Sequence, residues 1–309
     1  MPPLSKQELD NYLEKMYHLL MANPRMPFRT LASRMGLYSK TASRIYKEGL
    51  SEHILYPPML RPRICTDYKE YVYVIKATDI KSLFDRLRGD HRVEYVTWCQ
   101  GSFDLLLICN EQIDLSVETE FDRFVLSGER GNYVYPEVKR RDISTAVKEM
   151  NALLDNGNFS RSLMEDPLEK RGKEWSGLEQ NIFRYLKHDV RKTFLKIQRE
   201  LKISRTLLLK CYERVKKHSF ITVPYFPLGF EIYTKFYICM KSPHEQQVID
   251  LLSRLTCQSA FFKVRDHLVG YIGIELYAGK VIFDIMSKMV STGLVSTLTY
   301  SVPIIYYSQ

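Results

Sequence analysis

Lys40, Arg44 and Lys47 are spaced four and three residues apart, which puts three cations on one face of a helix. Ala42, Ile45, Tyr46 and Gly49 fall on the opposite face, so the stretch from about Ser39 to Glu52 reads as an amphipathic helix with a basic outer side. Lys210, Arg214 and Lys217 draw a similar line on a second helix, from about Arg205 to His218, which Ser204 caps and Arg205 and Thr206 open. The chemistry on offer is neutralisation of an anion. These faces predict contacts to double-stranded DNA from Ser39, Lys40, Thr41, Ser43, Arg44 and Lys47, and from Arg205, Thr206, Lys210, Arg214 and Lys217. Phosphates would take most of them, with sequence read only where an arginine reaches a guanine edge. A net charge of +9 agrees with an anionic partner, and equally with a basic face that simply stays solvated.

These helices belong to a chain that states its pattern twice. The stretch from Leu31 is echoed from Ile197, an offset of 197 − 31 = 166, and Tyr68 to Lys76 is echoed by Tyr233 to Lys241 at 233 − 68 = 165. So long a period means a duplicated module, not a solenoid repeat of ~20–50 residues. Each copy opens on three helices. In the first, Ser5 and Glu8 can form a capping box ahead of Leu9, Leu13, Met16 and Leu20, and Asn23-Pro24 stops the helix. Phe28 to Met35 follows, turned by Gly36, where the second copy carries Lys202 in a position that favours glycine. Leu207, Leu208 and Leu209 cannot all face one core, and Gly49 costs its helix about 1 kcal/mol relative to alanine. Pro57-Pro58 and Pro224 mark hairpin wings, so each copy begins as a winged helix-turn-helix.

The period then changes. Strands are predicted at Tyr71 to Ile75, Val93 to Gln100, Phe103 to Cys109 and Asn132 to Tyr135, with helices at Ile80 to Arg88 and Leu115 to Leu126. The second copy matches with strands at Phe236 to Met240, Ala260 to Val264, Leu268 to Glu275 and Val295 to Ser301, and helices at Glu245 to Leu255 and Lys280 to Ser291. The order βαββαβ is that of a ferredoxin-like domain. The expected class is therefore α+β, a tandem repeat of winged helix-turn-helix plus ferredoxin-like domain. Its domains are expected at 1–60, 61–137, 174–228 and 229–309, with a linker at 138–173 that includes a helix at Ile143 to Leu154 and a mobile stretch from Asp155 to Lys173. Six dispersed cysteines form no C-x-x-C, so buried reduced thiols are expected, with no metal site. The polar Met1 to Leu9 stretch is no signal peptide, and no apolar run nears the ~18 residues of a membrane span. A cytoplasmic protein with no membrane partner is expected.

The segment LASRMGLYSKTASRIYKEGL, followed downstream by Gln100-Gly101-Ser102-Phe103-Asp104-Leu105-Leu106, resembles the leucine-responsive/asparagine regulator family, Lrp/AsnC, over nearly the whole chain and twice. The resemblance implies a DNA-binding transcriptional regulator whose ferredoxin-like domains pair as an intramolecular pseudo-dimer, with further homodimerisation open. It also implies an amino-acid effector near the glycine turn, at Gly101, Ser102 and Asp104. Gly101 would admit a ligand close to the backbone, and Asp104 would accept a bond from its amino group; alternatively, Asp104 satisfies its own hairpin. The second copy departs, with Asp266-His267-Leu268-Val269-Gly270 at that turn, so it should not bind identically.

Phosphate-loop, H-E-x-x-H and G-x-S-x-G motifs are absent, so no catalytic residue and no cofactor is assigned and the main expectation is not an enzyme. Fused pairs of this kind also resemble the siroheme decarboxylases. That reading would use basic residues for substrate carboxylates and His91 or His267 as proton donor. A protein-interaction adaptor with degenerate DNA sites is the third option.

Overall fold

The computed structural model describes residues 4–165 and 175–308. In chain order the helices and strands are α1 (Lys6–Ala22), α2 (Phe28–Met35), α3 (Ser39–Ser51), β1 (Met59–Pro62), β2 (Tyr71–Ala77), α4 (Ile80–Leu87), β3 (Val93–Gly101), β4 (Leu105–Cys109), β5 (Phe121–Glu129) and α5 (Ile143–Asn156). They continue with α6 (Gly177–Leu186), α7 (Phe194–Leu201), α8 (Arg205–Lys217), β6 (Ser219–Thr222), β7 (Tyr233–Lys241), α9 (Glu245–Leu252), β8 (Ala260–Val264), β9 (His267–Glu275), α10 (Gly279–Ser291) and β10 (Thr297–Ser308). The fold is mixed α+β and forms two compact units. One holds α1–α3, α6–α8, β1 and β6; the other holds the remaining strands with α4, α5, α9 and α10.

In the helical unit the local signals work as read. Ser5 with Glu8 and Ser176 with Glu179 both form complete capping boxes, fixing the starts of α1 and α6. Leu13, Met16, Tyr17 and Leu20 of α1 are fully buried, as are Leu31 of α2 and Ile45 of α3. Gly49 has a packing reason: a Cβ there would lie 2.5 Å from Leu13 Cδ2, so glycine lets α3 close on α1. Gly36 turns α2 at φ 70, and Lys202 does the same job after α7 at φ 53, a left-handed conformation unfavourable for a side chain. Of the leucine triplet only Leu208 is buried.

The wings differ from expectation. Instead of separate hairpins, β1 pairs antiparallel with β6 of the other copy, Met59 opposite Thr222 and Pro62 opposite Ser219. The backbone continues the exchange, with Tyr56 N donating to Pro224 O and Phe226 N to Ile54 O, both 2.9 Å or less. Two arginines at equivalent positions clamp it. Arg25 donates to Val190 O and Lys192 O and lies 3.8 Å above the Phe194 ring; Arg191 donates to Pro24 O and Met26 O, both 3.0 Å, and lies 4.8 Å above Phe28.

In the sheet unit eight antiparallel strands run β5-β2-β4-β3-β10-β7-β9-β8. β10 joins the copies: Thr297 to Ser301 pairs with β7, and from Ser301 to Ser308 it pairs with β3. The outer edges also meet. Gly131 N donates to Lys263 O at 2.8 Å, and Val134 and Phe261 exchange both backbone bonds, so the sheet curls onto itself. Alternate residues of both copies fill the inside, among them Val72, Val74, Leu106, Cys239, Phe262 and Val269.

Two predicted elements are absent. The stretch predicted as a helix, Leu115 to Leu126, gives turns and then β5, and Asn132 to Tyr135 is not the last strand of the first copy. The reason lies in β2, whose free edge takes β5 from Tyr71–Glu129 to Ala77–Phe121, while Asp114 accepts from Ser116 N and fixes a turn instead of a helix. The predicted linker helix is α5, and its Met150 and Leu154 are buried in the core of the second copy. Of the expected mobile stretch, the described part is docked: Ser162 N donates to Pro243 O and Met164 N to Glu245 Oε2. The rest of that stretch, 166–173, lies outside the described residues.

Candidate functional site

The duplication places two lysines at matching strand ends, Lys76 on β2 and Lys241 on β7, and gives each a carboxylate from the neighbouring turn. At the first turn Lys76 Nζ lies 2.9 Å from Asp104 Oδ1 and donates to Gly101 O at 3.0 Å, while Ala77 N donates to Asp104 Oδ2 at 3.1 Å. Gly101 adopts φ 142, and a Cβ would sit 2.7 Å from Tyr300 O. Ser301 Oγ completes the closure, accepting from Phe103 N and donating to Phe103 O, both 2.9 Å. Gly101, Ser102 and Asp104 are thus brought together, but their polar groups bond inward: Ser102 N donates to Tyr300 O and Tyr300 N to Ser102 Oγ.

The second turn is open. Lys241 Nζ lies 2.5 Å from Asp266 Oδ2, and His267 Nδ1 lies 2.8 Å from Asp266 Oδ1. The bond to Lys241, and then that to His267, hold the Asp266 carboxyl down at about 2, below its ordinary value. An anchored carboxylate fixes one ring nitrogen of His267, the arrangement of an oriented proton donor. Arg265 precedes this pair at φ 55. Its guanidinium has no hydrogen-bond or ion-pair partner among the described residues, and its side chain lies over Gly128, whose Cβ would meet Arg265 Cγ at 2.9 Å. His91, the other candidate donor, is 88% exposed beside Asp90 and faces no site.

Beside this turn lies a groove of about 440 Å³ lined by Tyr71, Tyr73, Gln112, Ser127, Gly128, Glu129 and Arg265. Beneath the curled sheet Arg130 is fully buried: its Nε lies 2.8 Å and a terminal nitrogen 2.7 Å from Glu70 Oε2, and Tyr68 OH donates to Glu70 Oε1 at 2.7 Å. Burial opposes the arginine's charge, but Glu70 together with Tyr133 and Tyr135 more than offsets it, and the guanidinium is held firmly protonated. Sequence reasoning missed Arg265, Lys241 and Asp266 as a group with His267. The signal was present as the charged substitution of the second turn, but its effect depends on β5, which was read as a helix. No group of His, Cys, Asp or Glu able to hold a metal occurs among the described residues. All six cysteines are free and buried, and burial pushes the Cys99, Cys109 and Cys239 thiols up to about 12.

The residues expected on DNA are placed as follows. Ser39, Lys40, Arg44 and Lys47 are exposed on α3, with Thr41 and Ser43 half-buried; Arg205, Thr206, Lys210 and Lys217 are exposed on α8. Arg214 is not part of a free basic line, because its guanidinium lies 3.1 Å from Glu179 Oε1, which is itself 5% exposed. The exchanged strands and the two arginine clamps tie the heads carrying α3 and α8 into one unit, so an effector would have no free separation of heads to adjust.

No family model matches the chain, and no curated protein matches it in sequence. Among solved structures it is similar to the siroheme decarboxylase NirDL, at TM-score 0.55 and 12% identity, covering 97% of this chain and 93% of that one. The same enzyme in co-complex with an iron-uroporphyrin III analogue matches at TM-score 0.52 and 11% identity with the same coverage. This likeness establishes the fold. It also corrects the expectations of a DNA-binding Lrp/AsnC-type regulator, of a double-stranded DNA partner with an amino-acid effector, and of a chain that is not an enzyme: the shared fold is one that carries a decarboxylase, and no family or sequence match supports a regulator. The basic helices misled because exposed cations along a helix look alike whether or not DNA is bound. Among the described residues no helix is long and apolar enough to cross a membrane.

Proposed function

We propose that this chain is an enzyme acting on the carboxylates of a tetrapyrrole, of the siroheme decarboxylase kind. The observation that carries the reading is the shared fold along 97% of the chain with an enzyme of that activity. The open turn supplies suitable groups. In a redox-neutral decarboxylation, the bond between an acetate carboxyl and its methylene breaks, CO₂ leaves, and the electron pair stays on the methylene carbon, conjugated with the ring. A proton must then reach that carbon. His267, oriented by Asp266, is the donor in this reading, and Arg265 and Lys241 are the cations that hold neighbouring carboxylates. Each cation is placed before the substrate arrives, so little reorganisation is required.

The finer architecture belongs to the same reading. The strand order β10-β7-β9-β8 with α9 and α10 fits a ferredoxin-like domain, and the first copy is the same domain without its second helix. The three-helix groups would be winged helix-turn-helix heads retained as a support, with domain limits near 1–60, 61–137, 174–228 and 229–309.

The test is incubation of the purified chain with siroheme under anaerobic conditions, with products followed by mass spectrometry. Stepwise loss of CO₂ is expected, with the turnover number falling about 10²-fold or more in His267→Gln. Unaltered siroheme after prolonged incubation would overturn the reading.

A further inference from the structure

The groove exists because the first copy lacks a helix. In the second copy the matching sheet face, with Phe236, Ile238 and Met240, is buried beneath α9, α10 and α5. In the first copy α4 covers one part of the face, and Ile113 and Leu115 of the connecting loop cover another. What remains is a wall of Tyr71 and Tyr73 on β2, with Ser127 and Glu129 of β5 beside it and Gln112 at the rim. The wall continues into Phe124, 41% exposed, whose ring lies 6.1 Å from Tyr73 and 4.6 Å from Phe121.

The charges in this groove are unbalanced in one direction. Glu129 is answered by Lys69 at 2.7 Å, and Tyr73 OH accepts from Ile113 N at 2.9 Å, so neither awaits a partner. Among the described residues the exposed Arg265 guanidinium has no hydrogen-bond or ion-pair partner at the groove end, and the residue is held at φ 55 over Gly128. A planar guanidinium fork beside the half-exposed Tyr71 ring suits a conjugated ring that carries an anionic group, and a carboxylate is one group the fork grips with two bonds. The groove holds about 440 Å³. That accommodates an edge of a macrocycle, not the whole of it.

We infer that this groove is a binding site for one carboxylate-bearing edge of a tetrapyrrole, with Arg265 gripping the carboxylate and Tyr71 lying along the ring. The inference rests on the proposed function for the identity of the ligand, but not for the chemistry of the site. It makes the missing helix a functional feature: a copy that kept the helix would have no groove.

The test is titration of the full chain with uroporphyrin III, followed by porphyrin fluorescence, alongside the uroporphyrin methyl ester. Arg265→Asn removes the charge and retains a residue that tolerates positive φ; Tyr71→Ser shortens the wall; Arg123→Asn changes an exposed arginine paired with Asp122, as a control for net charge. Binding of uroporphyrin is expected to weaken about tenfold or more in Arg265→Asn, less in Tyr71→Ser, and not in Arg123→Asn. The ester is expected to bind wild type no better than uroporphyrin binds Arg265→Asn. Equal affinities of wild type and Arg265→Asn, or no binding by wild type, would overturn the inference. Arg265-dependent binding without CO₂ release would uphold the site and remove the enzymatic reading; CO₂ release with Arg265-independent binding would do the reverse.

Discussion

The two copies of the sheet domain share strand order, yet one face is sealed and the other is open. In the second copy α10 contributes Ile282, Ile285, Met286 and Met289 to a closed core, and α5 adds Met150 and Leu154. In the first, β5 follows its loop directly and leaves Tyr71, Phe121 and Phe124 partly exposed. Duplication within one chain allows this. A single gene for a symmetric dimer must seal or open both faces together, whereas fused copies can assign stability to one and binding to the other. The turns follow suit. Asp104 bonds inward at the first, and Asp266 orients a histidine at the second.

The largest effect should come from the sealed face. Ile285→Ala in α10 is expected to cost about 2–5 kcal/mol in urea unfolding, because the cavity has no space into which to relax. Phe124→Ala on the open face should cost well under that. Equal costs would mean the open face is supported as tightly as the closed one. Next come the glycines against which the two turns pack. Gly101→Ala meets backbone, Tyr300 O at 2.7 Å, at a positive φ, so about 2–4 kcal/mol is expected. Gly128→Ala meets mainly the Arg265 side chain, which can move, and Val264 Cγ1 at 3.3 Å, which must give by a few tenths of an ångström, so about 1 kcal/mol is expected, with the groove narrowed.

Acid titration sharpens the comparison of the turns. Asp266 has its folded value depressed to about 2, so the Lys241–Asp266–His267 arrangement is complete above the ordinary carboxylate value of 3.8 and is lost as pH falls through about 2. Following the Asp266 carboxyl by NMR should give that midpoint. A midpoint at 3.8 would mean that neither Lys241 nor His267 holds it in solution.

Much of this fold can be read directly in the residues, and the rest depends on contacts that sequence cannot express. Capping boxes at Ser5 and Ser176 act within a few residues, so the helices they start are legible. The left-handed Lys202 was legible because its equivalent is Gly36. The wing exchange was not, because β1 chooses between a local hairpin and a strand far away in the chain. β5 was misread for the same reason: its pattern is short, and the free edge of β2 decides its state. The groove followed that error, since a predicted helix would have filled it. Arg25 and Arg191 carried a signal, lying at the repeat offset beside Pro24 and Val190, but only the fold shows them clamping opposite copies.

The smallest expected effect discriminates most finely between the two turns. Arg265 occupies a left-handed conformation that costs a side chain about 1–2 kcal/mol relative to an ordinary one. Gly101 meets its own positive φ at no such cost. If Arg265 were only a hairpin residue, asparagine, which adopts this conformation more readily, would be the better choice. Arg265→Asn is therefore expected to stabilise the chain by a few tenths of a kcal/mol up to about 1 kcal/mol in thermal unfolding while weakening the groove's hold on a carboxylate. Opposite signs for stability and binding identify a strained residue kept for its charge. A loss of stability in Arg265→Asn would instead mean that the packing of Arg265 over Gly128 outweighs its backbone strain, and that the second turn, like the first, is built to close the sheet.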